Sequence, residues 1–516
     1  MEFLPLILIF IFFISLILSL LSFYSTKTSF QIVKEMGLGY NLANLFDCYN
    51  ISKEITEPND QITLCGNSIP TKDIIKNIKK NGFKTIRFPV TWMHFIDDTG
   101  KVNPKWMERV IEVVDWIIDF NLYCILNIHN DGLYGNWLNE GISAKNKYIY
   151  LWSQIAETFK RYDEHLIFAS MKEIEYRNGD CNEYLNIVFN FTQAFVDTIR
   201  ASEGYNKDRL LLISGIRMNI DYTCSSTYRM PTDLSNKLAI SIIYLYPSSF
   251  TITNDDNPTI TIFNGQIYET VGETSWGVDS DYSELVSNFN SMKAAFLDKG
   301  IPVILTEVGV FTEQKKEKTS IREYLYTVFS MTNDYDGISA CLWDTSNKEY
   351  GDTNYFNREK NEWYDDKIKN IFYQIRKGKN IKALDFYYPT NLKTLTTIGT
   401  DGNMYIKIEK KIVSTIILNV EVSTSSISYI NFLIFAGSGN GGWEMISIDG
   451  KKGKKQYDGS YSFTIDVKDK DITDYVWIFN YSQNFASFKS ITIEYGENFM
   501  DFNYISYKEA ITNYIL

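Results

Sequence analysis

The stretch His165–Glu175, "HLIFASMKEIE", decides the fold. It opens as a short, mostly apolar run, Leu166 to Met171, without polar alternation, and stops in Lys172-Glu173-Ile174-Glu175. A strand with that pattern is buried on both faces, as in a parallel sheet covered by helices. Charge at its end has a use if the sheet closes into a (β/α)8 barrel, because such barrels carry their active sites at the C-terminal ends of the strands.

The neighbouring sequence repeats the pattern. Upstream lie "TIRFPV" (Thr85–Val90) and "YCILNIH" (Tyr123–His129). Downstream lie "RLLLISG", "LAISIIY", "PVILTEVG" and "ISACLWD". Segments with apolar residues at helical spacing separate them, such as "NPKWMERVIEVVDWIIDFN" (Asn103–Asn121) and "YLWSQIAETFKRYD" (Tyr150–Asp163). With an early strand near Gly37–Ala43, about eight strand–helix units fall between residues 30 and 380, which predicts a TIM barrel with loop insertions. No G-x-G-x-x-G phosphate turn stands where a doubly wound open sheet would use one.

After about Lys377 the period changes. Short alternating strands such as "TIILNVEV", "YSFTIDV" and "YVWIFNY" predict a C-terminal all-β sandwich over residues 386–510. It contains no Cys or His and is a candidate carbohydrate-binding module. Trp443 in "GNGGWEM", read as a glycine-flanked loop, is its candidate sugar platform.

The net charge of −12, without a basic stripe, excludes a nucleic-acid partner, which requires phosphate neutralisation. Residues 1–25 are apolar from Phe3 to Leu21 and are expected to be a signal peptide or signal anchor. The expected location is therefore extracellular, secreted or at the cell surface, with membrane contact only if that segment is uncleaved. A monomer is expected. None of the six cysteines forms a C-x-x-C pair, so neither a metal nor a cofactor is expected. Cys48 with Cys65, and Cys181 with Cys224, are candidate disulfides.

At the predicted strand ends stand Arg87, His129, Glu173, Glu307 and Trp343-Asp344. Two carboxylates on one rim suit glycoside hydrolysis, in which one acid protonates the leaving oxygen and the other attacks the anomeric carbon or activates water. Glu175 is a rival to Glu173 in the same turn but is expected to face solvent.

Over residues 35–350 the chain resembles the cellulases of glycoside hydrolase family 5. The stretches that carry this are "GLGYNLAN", "GFKTIRFPVTW", "LNIHND", "FKRYDEHLIFASMKE", "YLYPSSF", "PVILTEVGVF" and "LWD". The resemblance implies a retaining glycosidase, endo-β-1,4-glucanase-like, acting on polysaccharide. Glu173 would be the acid/base and Glu307 the nucleophile, about 5–5.5 Å apart. Arg87 would hold Glu307, His129 would sit beside the −1 sugar, and Trp343 would lie beneath it. Three positions depart from the family pattern. Lys172 replaces the Asn before the acid/base, and Ile243 and Leu245 replace a His-x-Tyr. Asn130 stands where the family has a second His, and Tyr244 and Tyr246 flank Leu245, with strand alternation placing Tyr244 on the opposite face. Asn130, Lys172 and Tyr244 thus join the expected substrate-binding residues. Lys172 offers a cation to the sugar 2-hydroxyl, and beside Glu173 it would lower that carboxyl's pKa. The alternative expectation is a catalytically impaired barrel that binds polysaccharide without hydrolysing it.

Overall fold

The computed structural model describes residues 27–378, apart from 133–136, 173–180, 216, 218, 254–258, 264–265, 271, 278, 313–315, 317 and 347–352, together with eight strands between residues 404 and 495. Residues 1–26, the expected signal segment, lie outside the described residues. Among the described residues no helix is long and apolar enough to cross a membrane.

Eight parallel strands close the barrel: β1 Leu38–Asn41, β2 Thr85–Phe88, β3 Tyr123–Asn127, β4 Leu166–Ala169, β5 Leu211–Ser214, β6 Leu238–Tyr244, β7 Val303–Val308 and β8 Ile338–Leu342. Each neighbours the next, and β8 returns to β1. Nearly every strand residue is buried, as expected for strands with helices outside and side chains inside. The longer helices are α1 Ser29–Met36, α2 Lys72–Lys80, α3 Pro104–Asp119, α4 Lys145–Phe159, α5 Cys181–Ala201, α6 Asp279–Ala295, α7 Lys318–Asp334 and α8 Asp366–Arg376. The sequence sets their limits locally. In α3 the Asn103 side chain accepts from Lys105 N–H and Pro104 takes the first turn, where a missing N–H costs nothing. Its Trp106, Val110, Val113, Val114 and Ile117 are buried at helical spacing.

The barrel interior holds Ile125, Ile167, Ala169, Leu212, Ala239, Ile304 and Cys341, and Ile32, Val33 and Met36 of α1 belong to the same cluster. Helix α1 thus supplies apolar side chains to the floor. Gly39 of β1 faces this interior, where a Cβ would stand 2.4 Å from Cys341 Sγ. Opposite the floor, β7 carries one extra residue. Leu305 pairs with Ile242 and Glu307 with Ile243, and on the other side Ala340 and Leu342 pair with Leu305 and Val308. Both partners therefore skip a residue of β7, which defines a bulge at Thr306.

The chain divides into two compact units. One consists of Met1–Thr274, Glu284–Lys316 and Leu325–Lys377, the other of Ser275–Ser283, Glu317–Tyr324 and Gly378–Leu516. The first unit is thus not one unbroken segment from 30 to 380. In the second, two four-stranded antiparallel sheets form the C-terminal β-sandwich. Two of their strands, Trp443–Asp449 and Lys454–Lys455, fall where the sequence reading had loops. Trp443 opens a strand opposite Gly437 rather than lying in a loop; its side chain is outside the described residues.

Candidate active site

The rim is built on Glu307. The residue is 2% exposed, and an isolated carboxylate so buried is costly unless paired. Arg87, from the end of β2, supplies the pair: its Nη1 donates to Glu307 Oε1 at 2.8 Å. Strict alternation from Ile304 would send Thr306 inward and Glu307 outward. The bulge lets both face the interior: Thr306 Oγ1 lies 3.0 Å from Ser241 Oγ while Glu307 meets Arg87.

Asn41, at the end of β1, holds this arrangement. Its Oδ1 accepts from Arg87 Nη1 at 2.8 Å, and its Nδ2 donates to the carbonyls of Thr306 and Leu342 at 2.9 and 3.1 Å. One amide therefore orients the arginine and satisfies a carbonyl that the bulge frees from the ladder. The sequence reading missed Asn41; its place at a strand end, in register with Arg87, was the available signal.

His129 follows β3. Asn127 Nδ2, which can only donate, lies 3.1 Å from His129 Nδ1, so Nδ1 accepts and the ring proton sits on Nε2. Asn127 is fixed in turn by accepting from the Val90 N–H. Burial, followed by the nearby Lys172 and Arg87 charges, holds the His129 pKa well below the ordinary histidine range. The imidazole is neutral and stacks at 14° to Trp343, 6.3 Å between ring centres. Trp343, after β8, is half-buried.

Lys172 differs from expectation. Its ammonium turns to Glu307, with Nζ 3.6 Å from Oε1, and lies over Trp343 at 5.4 Å from the ring centre. Its backbone N–H donates to Ile128 O, which fixes where the side chain starts. Glu173, the expected acid/base, and Glu175 lie outside the described residues, so the separation of the two carboxyls is not described.

Asn130 is half-buried; its Nδ2 donates to the Asp47 carbonyl, which also accepts from Thr91 Oγ1. The loop of Asp47 is stapled by the Cys48–Cys65 disulfide. The second expected disulfide is absent, since Cys224 is a free, half-buried thiol. Tyr244 does not join the site. It is 1% exposed, accepts from Asn288 Nδ2 of α6 and packs edge-on against Phe289, so it belongs to the layer between β6 and α6. Strand alternation gives the reason: Ile243 pairs with Glu307, and its successor points the other way. Beside the rim, Asp131 is pushed up to about 6 by burial while its carboxylate accepts from Trp92 N–H and Trp137 Nε1.

This geometry offers an oriented, charge-compensated carboxylate beside a neutral histidine and a partly open aromatic face. Comparison with known proteins agrees. The family described as cellulase (glycosyl hydrolase family 5) matches residues 50–349. Endoglucanase A of Clostridium longisporum is 32% identical over 376 residues, covering 69% of this chain and 67% of the relative. Endoglucanase A of Paenibacillus barcinonensis is 35% identical over 302 residues, covering 55% and 73%. Among solved structures, a GH5-4 broad specificity endoglucanase from an uncultured bovine rumen ciliate is 53% identical with a TM-score of 0.65, covering 68% of this chain and 99% of that one. The chain belongs to glycosyl hydrolase family 5 and is a glycosidase.

Proposed function

We propose that the protein is a secreted endo-β-1,4-glucanase that cleaves β-glucan with retention through Glu307 and Glu173. The observation that carries this reading is the buried Arg87–Glu307 pair at the barrel rim, with Trp343 and His129 beside it. Glu307 attacks the anomeric carbon while Glu173 protonates the departing oxygen. Water then attacks the glycosyl ester, with Glu173 as base. Arg87 holds the carboxylate in place for attack. The neutral His129 presents Nε2–H as a donor to a sugar hydroxyl, and Trp343 offers a ring face to its apolar side. Endoglucanase relatives from several organisms support glucan as the substrate. We also propose that residues 1–25 direct export, that the chain is monomeric, and that residues 386–510 bind polysaccharide through Trp443.

The test is reducing-end release from mixed-linkage β-glucan and carboxymethylcellulose by the secreted chain, beside Glu307→Gln. Loss by a factor of about 10³ or more in the variant, with an unchanged melting temperature, is expected of a removed nucleophile. Equal release by both proteins, or by neither, rejects the reading.

A further inference from the structure

The two cations around Glu307 do not divide its two oxygens between them. Arg87 Nη1 and Lys172 Nζ both address Oε1, at 2.8 and 3.6 Å. Among the described residues Oε2 takes no hydrogen bond, so it is the oxygen left for chemistry. Arg87 is also anchored by Asn41, whereas Glu307 is the ion-pair partner of Lys172. Of the other groups nearby, the Asp47 carboxylate lies close enough to act on Lys172. His129 is neutral, and burial pushes the Cys341 thiol of β8 up to about 12.

The consequence concerns the second half of the reaction and rests on the two-carboxylate reading above. In the first half, a bond forms between Oε2 and the anomeric carbon. The bond to the leaving oxygen breaks, its electron pair departs with that oxygen, and Glu173 supplies the proton. Glu307 is then a neutral ester, the negative charge has passed to Glu173, and Arg87 and Lys172 no longer have a carboxylate at Oε1. In the second half, water attacks the anomeric carbon, Glu173 takes its proton, and the electron pair of the carbon–Oε2 bond returns to Glu307. That step restores the ion cluster. A buried cation stabilises the carboxylate and not the ester, so each one favours release. We propose that Lys172 is a positioning residue which, acting through Glu307, hastens breakdown of the glycosyl-enzyme and keeps it from accumulating.

Rapid mixing with 2,4-dinitrophenyl β-cellobioside, whose leaving group makes the first half fast, reads this directly. The full chain is expected to release dinitrophenolate without a burst. Lys172→Met is expected to give a burst approaching about one equivalent per active site, the mark of an accumulating covalent intermediate. Its later steady rate should fall about tenfold. Mass spectrometry of the quenched variant should find cellobiosyl on Glu307. Lys172→Arg keeps the charge and should show no burst, which separates the effect from a merely altered fold. Turnover by Lys172→Met without a burst and at the parental rate overturns the inference and leaves the two-carboxylate reading intact. No dinitrophenolate from the parent chain overturns both.

Discussion

The floor and the rim of this barrel use the same strands for opposite ends. At the floor, the inward residues are Ile125, Ile167, Leu212, Ala239, Ile304 and Cys341, closed by Ile32, Val33 and Met36 of α1. A few residues further along lie Asn41, Arg87, His129 and Glu307. Both layers are buried, but the floor is mainly apolar, with Thr85 Oγ1 donating to Met36 O, whereas the rim carries the paired charges of Arg87 and Glu307. The floor is held by area removed from water, which is non-directional. The rim is held by directed contacts whose loss leaves a charge stranded. Stability and chemistry are thus stacked along one axis and should respond separately to substitution.

The largest separation should come at Arg87. Arg87→Met leaves Glu307 buried with Lys172, at 3.6 Å, as its one remaining cationic partner among the described residues. A stability loss of about 3 kcal/mol is expected, the low end for removing one partner of a buried pair. Glucan hydrolysis should fall at least about a hundredfold as Glu307 loses its orientation. Urea unfolding and initial rates measure the two effects; an active, equally stable variant breaks the comparison at the rim. At the floor, Ile304→Ala removes a fully buried side chain two residues before the bulge. It should cost about 2–5 kcal/mol while the activity of the folded fraction stays within about twofold. A specific defect in turnover at full stability would show that floor and rim are one unit.

The smallest effect lies below the floor, where His165 Nδ1 meets Asp163 Oδ1 at 3.0 Å. That hydrogen bond, with the carboxylate charge, raises the His165 pKa above its usual 6.5, and the same pairing lowers that of Asp163 below 3.8. The histidine's contribution is therefore fully present below pH 6.5 and is lost as pH rises through the raised folded value. The aspartate's is present above 3.8 and is lost as pH falls through the lowered one. His165→Gln should be less stable than the parent by under about 1 kcal/mol at pH 5, with the gap closing towards pH 8. A gap that widens with pH contradicts the pairing.

The barrel is legible in the sequence because parallel strands buried on both faces read as uninterrupted apolar runs, and because Arg87, His129, Glu307 and Trp343 stand at their ends. What is not legible depends on register. The bulge at Thr306 leaves no mark in "PVILTEVG", since a strand apolar on both sides hides its parity. Asn41 in "GYNLAN" looks like a turn residue until β1 and β2 are paired. Tyr244 sits beside the right positions in sequence, but alternation turns it towards α6. Lys172 is visible as a departure, yet only the fold shows that its charge reaches Glu307. In the second unit the strands at Trp443–Asp449 and Lys454–Lys455 are obscured by glycines and lysines, which are poor strand formers and respond to pairing context.

The extra residue in β7 means that the carboxylate and its scaffold are one step out of phase. Pairing Thr306 into the ladder, with no residue skipped, would rotate the carboxylate from the cleft into the helix layer. Every residue of the rim would still be spelled in the sequence, and the pair with Arg87 would be gone. The identity of the carboxylate is written in one letter, but its address is a register.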